Sequence, residues 1–174
     1  MKLTLSGNYL NCSYTDNTGR VIYKVKTDNT FPGGKTNILG LLPDDIPRRE
    51  SMGDIREDRF AYLARIEWKT IYSTFMLGGE AVDANKFFRK EIWKRMNRIF
   101  TGGDGQEYRW IIRWLAPELV INDEVRTPVA KYHRSGKSGG KKQQGVLEIF
   151  PEGEHIIDLI VITFIYVETL RREG

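Results

Sequence analysis

The longest apolar segment of the chain, residues 156–170, has the composition of a strand but the periodicity of a helix. Ile, Val, Thr, Phe and Tyr dominate it, and these residues favour strands. At about 100° per residue, however, most of its polar side chains fall on one side of a helical wheel: Asp158, Thr163, Tyr166 and Thr169. Acidic residues precede the segment and Arg171 and Arg172 follow it, which is the order that a helix dipole favours. The pattern therefore predicts a helix.

This predicted helix is too short and too interrupted to cross a membrane. A membrane span needs about 20 consecutive apolar residues. Here Asp158 interrupts the apolar run and Glu168 ends it. A helix that is apolar on almost every side has to be enclosed by protein. We expect Ile160, Phe164 and Val167 to be among its most buried residues.

Most of the remaining chain consists of short strand-like segments between turn signals. They are residues 20–27, 60–69, 70–77, 98–100, 107–114, 117–122, 126–134 and 145–150. The sequence TGGDGQ at residues 101–106 is the strongest hairpin signal. Many short strands at this spacing predict a barrel or a sandwich.

Three stretches interrupt the strand pattern. Residues 43–58 are rich in acids, Arg and Pro and predict a solvated loop, and residues 135–145 predict a flexible basic loop. Residues 83–96 predict a surface helix, with Asp83 as N-cap and Phe88, Ile92 and Met96 on one face. No repeat or linker divides residues 1–174, so we expect a single domain.

Composition indicates the cellular compartment and the class of partner but does not identify the function. With Cys12 as its only cysteine, the chain has no internal disulfide, which suits a reducing compartment. The N-terminus has no secretory pattern, so we expect a cytoplasmic protein, with peripheral attachment to membranes as an option. The net charge of +4 mildly favours anionic partners.

Several sequence segments, in this order, resemble the tubby C-terminal-like superfamily. That superfamily includes tubby-like proteins, phospholipid scramblases and LURP-one-related proteins. The chain is more closely similar to a family of small fungal proteins with a domain of unknown function in that superfamily. The segments are GRVIYKV (19–25), IEW (66–68), RIFTGGDGQEYRW (98–110), PVAKYHR (128–134) and LEIFPEGEHIIDLIVITFIYVETLRRE (147–173).

The resemblance implies a mainly β fold, a closed antiparallel barrel of about twelve strands around the C-terminal helix. Tubby-like relatives bind phosphoinositides, and scramblases act on lipids. The lipid-binding residues of those relatives lie outside the matching segments, so none is carried over to this chain. Since one fold supports many activities, the resemblance alone does not establish a function.

Two motifs of possible catalytic interest are incomplete. GGKT at residues 33–36 is similar to a phosphate-binding loop, but Asn29 stands where the first glycine belongs and no helix pattern follows. His133 and His155 with Cys12 cannot complete a structural zinc site without carboxylates, so we expect no metal and no cofactor.

A pocket formed by Glu67, Tyr108 and His133 is the enzymatic or small-molecule-binding alternative. Two carboxylates, Glu67 and Glu107, would share acid and base roles if their strands were adjacent, and His133 would act as a base if a carboxylate oriented it. Strand alternation favours a structural role instead. It places Glu67 and Glu107 on the opposite face from Trp68 and Tyr108, where cross-strand ion pairs are common.

Asp158 stands within the apolar helix, and a buried carboxylate has to be paired or protonated. We expect an Arg, Lys or Tyr of the barrel wall as its partner. Asp104 belongs to the tight turn before the strand at residue 107 and is assigned no chemistry.

Two basic features indicate an anionic partner. The candidate ligands are Lys86, Arg89, Lys90 and Lys94 on the predicted surface helix, and Arg134, Lys137, Lys141 and Lys142 in the basic loop. We expect both features to lie on one side of the molecule and to bind anionic membrane together. The leading hypothesis is a non-enzymatic module that binds phosphoinositide or other anionic phospholipid headgroups. The alternatives are the pocket described above and a protein-interaction module, whereas nucleic acid is not expected.

Overall fold

A computed structural model describes residues 1–28, 33–43, 59–69, 73–91, 97–138 and 141–173. All but the first residue of the predicted loop at residues 43–58 lies outside these ranges, as do Lys94 and the rest of residues 92–96. Within the described chain, no helix combines the length and apolarity needed to cross a bilayer.

The fold is mainly β, with one large antiparallel sheet and a C-terminal helix. Its strands are β1 (Lys2–Leu5), β2 (Cys12–Thr15), β3 (Val21–Asp28), β4 (Lys35–Leu41), β5 (Phe60–Glu67), β6 (Thr74–Leu77), β7 (Glu80–Asp83), β8 (Arg89–Lys90), β9 (Arg98–Thr101), β10 (Glu107–Ile112), β11 (Pro117–Ile121), β12 (Pro128–His133), β13 (Gly136–Ser138), β14 (Lys141–Gln143) and β15 (Val146–Ile149). The helices are α1 (Ala84–Phe87), a 3₁₀ helix (Pro151–Ile156) and α2 (Ile157–Glu173).

Thirteen of these strands form the large sheet, and β13 and β14 form a separate hairpin. From one edge to the other, the order in the large sheet is β7, β6, β5, β4, β3, β2, β1, β15, β12, β11, β10, β9, β8. Most neighbours are consecutive in the chain. The exceptions include β1, which pairs with β15 and joins the first and the last strand of the sequence at the centre of the sheet.

The sheet curls around α2. All side chains from residue 160 to residue 169 are buried, so protein surrounds the middle of this helix on every side. Trp110 of β10 donates from its indole nitrogen to the Thr163 hydroxyl at 2.9 Å. The predicted helix at residues 156–170 is therefore confirmed, and Ile160, Phe164 and Val167 have no exposed surface.

The two edges of the sheet are not hydrogen-bonded to each other within the described residues. The edge strands β7 and β8 are consecutive in the chain, and α1 connects them. Phe87 of α1 packs on Phe75 of β6 and on Phe100 of β9, with ring centroids 5.2 Å and 5.8 Å away. Because backbone pairing between the two edges is missing, the predicted closed barrel is not confirmed. The aromatic contacts of Phe87 link the two sides of the sheet instead.

The predicted helix at residues 83–96 is wrong over most of its described part. Asp83 does cap a helix, accepting a hydrogen bond from the Asn85 backbone at 2.7 Å, but α1 ends after four residues. Phe88 is extended and buried, and Arg89–Lys90 pairs with β9. Burial of Phe88 against Phe100 and Tyr166 outweighs the local helical pattern.

The predicted loop at residues 135–145 is also corrected, because it contains the hairpin of β13 and β14. Its paired residues are polar or glycine, as in the pairing of Lys137 with Lys142. Because this hairpin has no apolar residues, its sequence lacks the alternation of apolar and polar positions that predicts a strand. The GGKT segment leads into β4, where Lys35 pairs with Glu67 at 3.6 Å, so its lysine serves an ion pair between strands.

Asp158 has the predicted kind of partner but not the predicted burial. The hydroxyl of Tyr23 donates to the Asp158 carboxylate, and Tyr23 itself is buried. Asp158 is exposed because it lies in the first turn of α2, where the helix has not yet entered the sheet. Burial and this hydrogen bond both raise the pKa of Tyr23, so its hydroxyl remains a donor at neutral pH.

Candidate functional site

Glu67, Tyr108 and His133 do not form a common pocket. Tyr108 points into the core, whereas Glu67 is half-buried beside Lys35 and Arg65, and His133 is exposed beside Glu148. These partners come from separate parts of the sheet. Strand alternation accounts for the separation, because Ile66, Trp68, Tyr108 and Trp110 are all buried.

His133 forms a cross-strand pair with Glu148. Its Nε2 lies 2.8 Å from Glu148 Oε2, and Lys2 approaches the same carboxylate at 3.3 Å. The His133 hydrogen bond is the main cause that lowers the pKa of Glu148. A histidine oriented by a carboxylate is present, as a general base would require. Since His133 is exposed and Lys2 shares the same carboxylate, the pair fits an ion-pair ladder on the sheet surface.

Asp104 has more contacts than its turn position suggests. Its Oδ2 accepts a hydrogen bond from the Tyr108 hydroxyl at 2.6 Å and lies 2.7 Å from His155 Nε2. These two hydrogen bonds lower the pKa of Asp104 to about 2. The cluster ties the β9–β10 turn to the 3₁₀ helix that leads into α2. Within the described residues, no group of three or more His, Cys, Asp and Glu side chains is arranged to hold a metal ion.

That the basic residues around β8 and those of the β13–β14 region lie on one side of the molecule stays a prediction, because Lys94 and the side chains of the hairpin lysines lie outside the described part of the structure. Arg89 is held by Glu107, at 2.8 Å and 2.9 Å from its two carboxylate oxygens. Glu107 begins β10, whereas the loop that approaches Arg134 follows the end of that strand. A strand of six residues spans about 20 Å. Lys86 and Lys90 are exposed, and Lys94 lies outside the described residues.

The C-terminal end of α2 carries a dense group of arginines. Glu168 is fully buried, and its carboxylate accepts hydrogen bonds from Arg171 at 2.7 Å and 2.8 Å and from Arg172 at 2.8 Å. Arg171 is almost fully buried and also donates to the Trp114 carbonyl oxygen at 2.9 Å. Arg172 is 38% exposed and lies over the ring of Tyr9 at 4.7 Å. Arg171 therefore anchors the β10–β11 loop, while Arg172 faces solvent.

The β10–β11 loop presents two large apolar side chains to solvent. Trp114 is 87% exposed and Leu115 is 68% exposed. Single exposed apolar side chains are common, whereas contiguous exposed apolar surface marks sites of interaction with proteins or membranes. The hydrogen bond from the Arg171 guanidinium to the Trp114 carbonyl oxygen holds the loop in place, so the pair projects from an anchored position.

Trp114 and the arginines line a common hollow that is open to solvent. Its volume is about 310 Å³, and its walls are Trp114, Arg134, Arg171 and Arg172. The β13–β14 hairpin, which carries Lys137, Lys141 and Lys142, begins two residues after Arg134. We call this surface the arginine face: Arg134, Arg171 and Arg172 with Trp114 and Leu115.

The sequence patterns predict only part of the arginine face. Arg134 and the hairpin lysines are among the predicted ligands, whereas Trp114 belongs to a predicted strand and Arg171 and Arg172 to a predicted helix end. The missed signal was the WLAP sequence at residues 114–117, where only Ala116 separates two large apolar residues from a proline. Proline disfavours the middle of a strand, so the apolar pair belongs to a turn.

The profile of a family of unknown function, DUF6593, matches residues 7–173. The chain belongs to the DUF6593 family. The match includes the sheet from β2 onward, α2 and every residue of the arginine face. No curated protein matches this DUF6593 chain. A protein from Arabidopsis thaliana with an X-ray structure is similar at a TM-score of 0.46 and 15% identity, over 92% of this chain and 87% of that one.

Proposed function

We propose that this protein is a non-enzymatic module that binds anionic phospholipid headgroups through the arginine face. The observation that carries the proposal is the exposed pair of Trp114 and Leu115 beside a hollow lined by three arginines. Tryptophan is favoured at membrane interfaces, where its apolar ring and its polar N–H are both accommodated. Guanidinium groups bind phosphate through paired hydrogen bonds.

In the proposed bound state, Trp114 and Leu115 enter the boundary between headgroups and acyl chains. Arg134 and Arg172 then lie at the level of the phosphates, because they line the hollow beside Trp114. Each Lys or Arg near an anionic leaflet contributes about 1 kcal/mol, and salt weakens this contribution. The β13–β14 hairpin, whose sequence includes Lys137, Lys141 and Lys142, follows Arg134 in the chain and adds positive charge to this region of the sequence.

The resemblance to the tubby-like superfamily supports a lipid ligand, since tubby-like proteins and scramblases bind or act on lipids. We extend the proposal to a tubby-like barrel that acts in the cytoplasm and attaches peripherally to membranes. The Glu67, Tyr108 and His133 alternative receives less support because these side chains have separate partners.

Co-sedimentation with phosphatidylserine vesicles at low and high salt tests the proposal. We expect binding at low salt that decreases as salt rises, because exposed charges are screened beyond about 10 Å at 0.1 M. Arg134→Glu and the double change Trp114→Ala with Leu115→Ala should each weaken binding by about tenfold. All of these side chains are exposed, so the melting temperature should remain unchanged.

Two matched controls lie outside the arginine face. Lys90→Glu reverses an exposed charge on β8, and Val125→Ala removes an apolar side chain that is 81% exposed in the β11–β12 loop. Neither should change vesicle binding. Absence of binding to anionic vesicles even at low salt would refute the membrane proposal. Binding of a soluble protein to the exposed pair, Trp114 and Leu115, would then favour a protein-interaction module.

A further inference from the structure

A second cavity opens next to the arginine face and has different chemistry. It has a volume of about 260 Å³ and lies between the loop after β1, the end of β12, the segment before β15 and Arg172. Its walls present hydroxyl and carboxamide groups: Ser6, Tyr132 and Ser135, with Gln143, Gln144 and the guanidinium of Arg172. We call it the polyol cavity. Arg172 also lines the arginine hollow, so the two sites are adjacent.

Tyr132 is positioned to bind a ligand rather than the protein. Its ring is buried and packs against Phe164 at 4.7 Å, but its hydroxyl hydrogen-bonds to none of the described residues. Gly145 lies beside it, and a Cβ at that position would stand 2.7 Å from the Tyr132 oxygen. The absence of a side chain at residue 145 therefore leaves room for this hydroxyl. Burial raises the pKa of Tyr132, so its hydroxyl can still donate at neutral pH.

Arg172 supplies the positive charge of the cavity. Its Nε donates to Glu168, and its guanidinium is held over the Tyr9 ring. Tyr9 is held in turn by its hydrogen-bond contact with Thr169 at 3.2 Å. The terminal guanidinium nitrogens of Arg172 donate to no other described residue, so they are free to bind a phosphate oxygen.

The lining chemistry selects among phospholipid headgroups. Hydroxyl and carboxamide groups both donate and accept hydrogen bonds, as the hydroxyls of a sugar or polyol do. An amino headgroup such as serine or ethanolamine needs an acidic partner, and no Asp or Glu belongs to the lining residues. The volume lies just below the lower end of small-molecule sites, which is about 300 Å³, so it suits one ring-sized group.

We infer that the polyol cavity binds the hydroxyl-rich headgroup of an anionic phospholipid, with Arg172 on its phosphate and Tyr132 on a ring hydroxyl. The inference rests on the proposed membrane binding and adds selectivity to it. The arginine face recognises negative charge of any anionic lipid. The polyol cavity distinguishes polyol headgroups from amino headgroups of equal net charge.

The test compares phosphatidylinositol with phosphatidylserine vesicles at equal mole fraction and equal salt. Each lipid carries one net negative charge, so a charge effect alone gives equal binding. We expect the protein to bind phosphatidylinositol vesicles about two- to tenfold more tightly, as one or two net hydrogen bonds would give. Tyr132→Phe should remove most of this preference and leave phosphatidylserine binding unchanged. Tyr62→Phe, at an exposed tyrosine on β5, is the matched control.

A second arm separates the cavity from the membrane. Glycerophosphoinositol, the soluble deacylated headgroup, is titrated into the protein while amide chemical shifts are followed by NMR. If glycerophosphoinositol shifts the amide signals of cavity residues and Tyr132→Phe weakens these shifts, the cavity is a headgroup site. This holds even if the protein does not bind vesicles, in which case only the proposed membrane function is overturned. If the melting temperature shows that Tyr132→Phe is unfolded, Gln144→Ala at an exposed position takes its place. Equal binding to both lipids, or a preference unchanged by these variants, would overturn the inference.

Discussion

Glu168 links the core of the molecule to the arginine face. It is fully buried in α2 and accepts hydrogen bonds from Arg171 and Arg172. Through Arg171 it also sets the position of the Trp114 carbonyl. The Arg171 guanidinium donates both to the Glu168 carboxylate and to the Trp114 carbonyl oxygen. A single carboxylate therefore orients two arginines and the exposed loop.

Replacing Glu168 tests this role. Glu168→Gln keeps the size of the side chain but weakens its charge-assisted hydrogen bonds, so the free energy of unfolding should fall by about 2–3 kcal/mol. Urea unfolding measures this loss. Glu173→Gln, at the exposed end of the same helix, should change it by less than about 0.5 kcal/mol. Equal effects of the two substitutions would show that the Arg171 and Arg172 contacts do not contribute to stability.

Asp104 makes stability depend on pH in the acid range. The pKa of its carboxyl is lowered to about 2 by Tyr108 and His155, from about 3.9 in an unfolded chain. A lowered pKa contributes stability that is fully present above the unfolded value and is lost as the pH falls through the folded value. This contribution should therefore disappear between about pH 4 and pH 2.

Asp104→Asn isolates this effect. The melting temperature of the variant should lie below that of the wild type at pH 5, and the difference should shrink as the pH falls toward 2. Differential scanning calorimetry at several pH values measures both curves. Because Asp104 is largely solvent-exposed, the difference at pH 5 should be modest. A constant difference over this range would mean that the carboxylate charge plays no part.

At the scale of elements, α2 provides the apolar centre of the fold. Phe164 has no exposed surface and packs against Tyr9, Trp110 and Tyr132 from three different strands or loops. Phe164→Ala should lower the free energy of unfolding by about 3–5 kcal/mol, because it leaves a cavity that rigid strands cannot fill. Chemical denaturation measures this change. Leu159→Ala, at a half-buried position in the first turns of α2, should cost less.

The sequence predicts correctly those elements whose pattern of apolar and polar residues matches their surroundings in the fold. In α2, the wheel of polar residues and the flanking charges both indicated a helix, and the sheet enclosed it as expected. In β5 and β10, alternation placed Ile66 and Tyr108 inward correctly.

The misses have a physical cause in each case. The helical period from Phe88 onward gave way to burial in an aromatic cluster supplied by β6, β9 and α2, which lie far apart in the sequence. The strands β1 and β2 are only four residues long. Their place in the sheet depends on the pairing of β1 with β15, which lies far away in the sequence. The arginine face unites Trp114, Leu115, Arg134, Arg171 and Arg172, and only the folded sheet brings them together.

At the scale of the whole molecule, the inward side of the sheet and α2 share one core. Its inward side chains, such as Leu3, Ile38 and Leu147, belong to the same core cluster as the helix. A chain that ends at residue 155 should therefore fail to reach the native state. Loss of amide dispersion in the NMR spectrum and rapid proteolysis would show this outcome. A truncated chain with native-like dispersion would mean that the sheet folds independently.

The central position of α2 also has a consequence for biosynthesis. A ribosome makes the chain from its N-terminus, at about 5–20 residues per second, so every strand leaves the exit tunnel before the helix does. β1 emerges first and has to wait for β15 before one of its two partners exists. During that interval the inward faces of the strands remain open to water and to neighbouring nascent chains. Chaperones that cover exposed apolar segments should therefore raise the yield of folded protein by protecting these faces until α2 emerges.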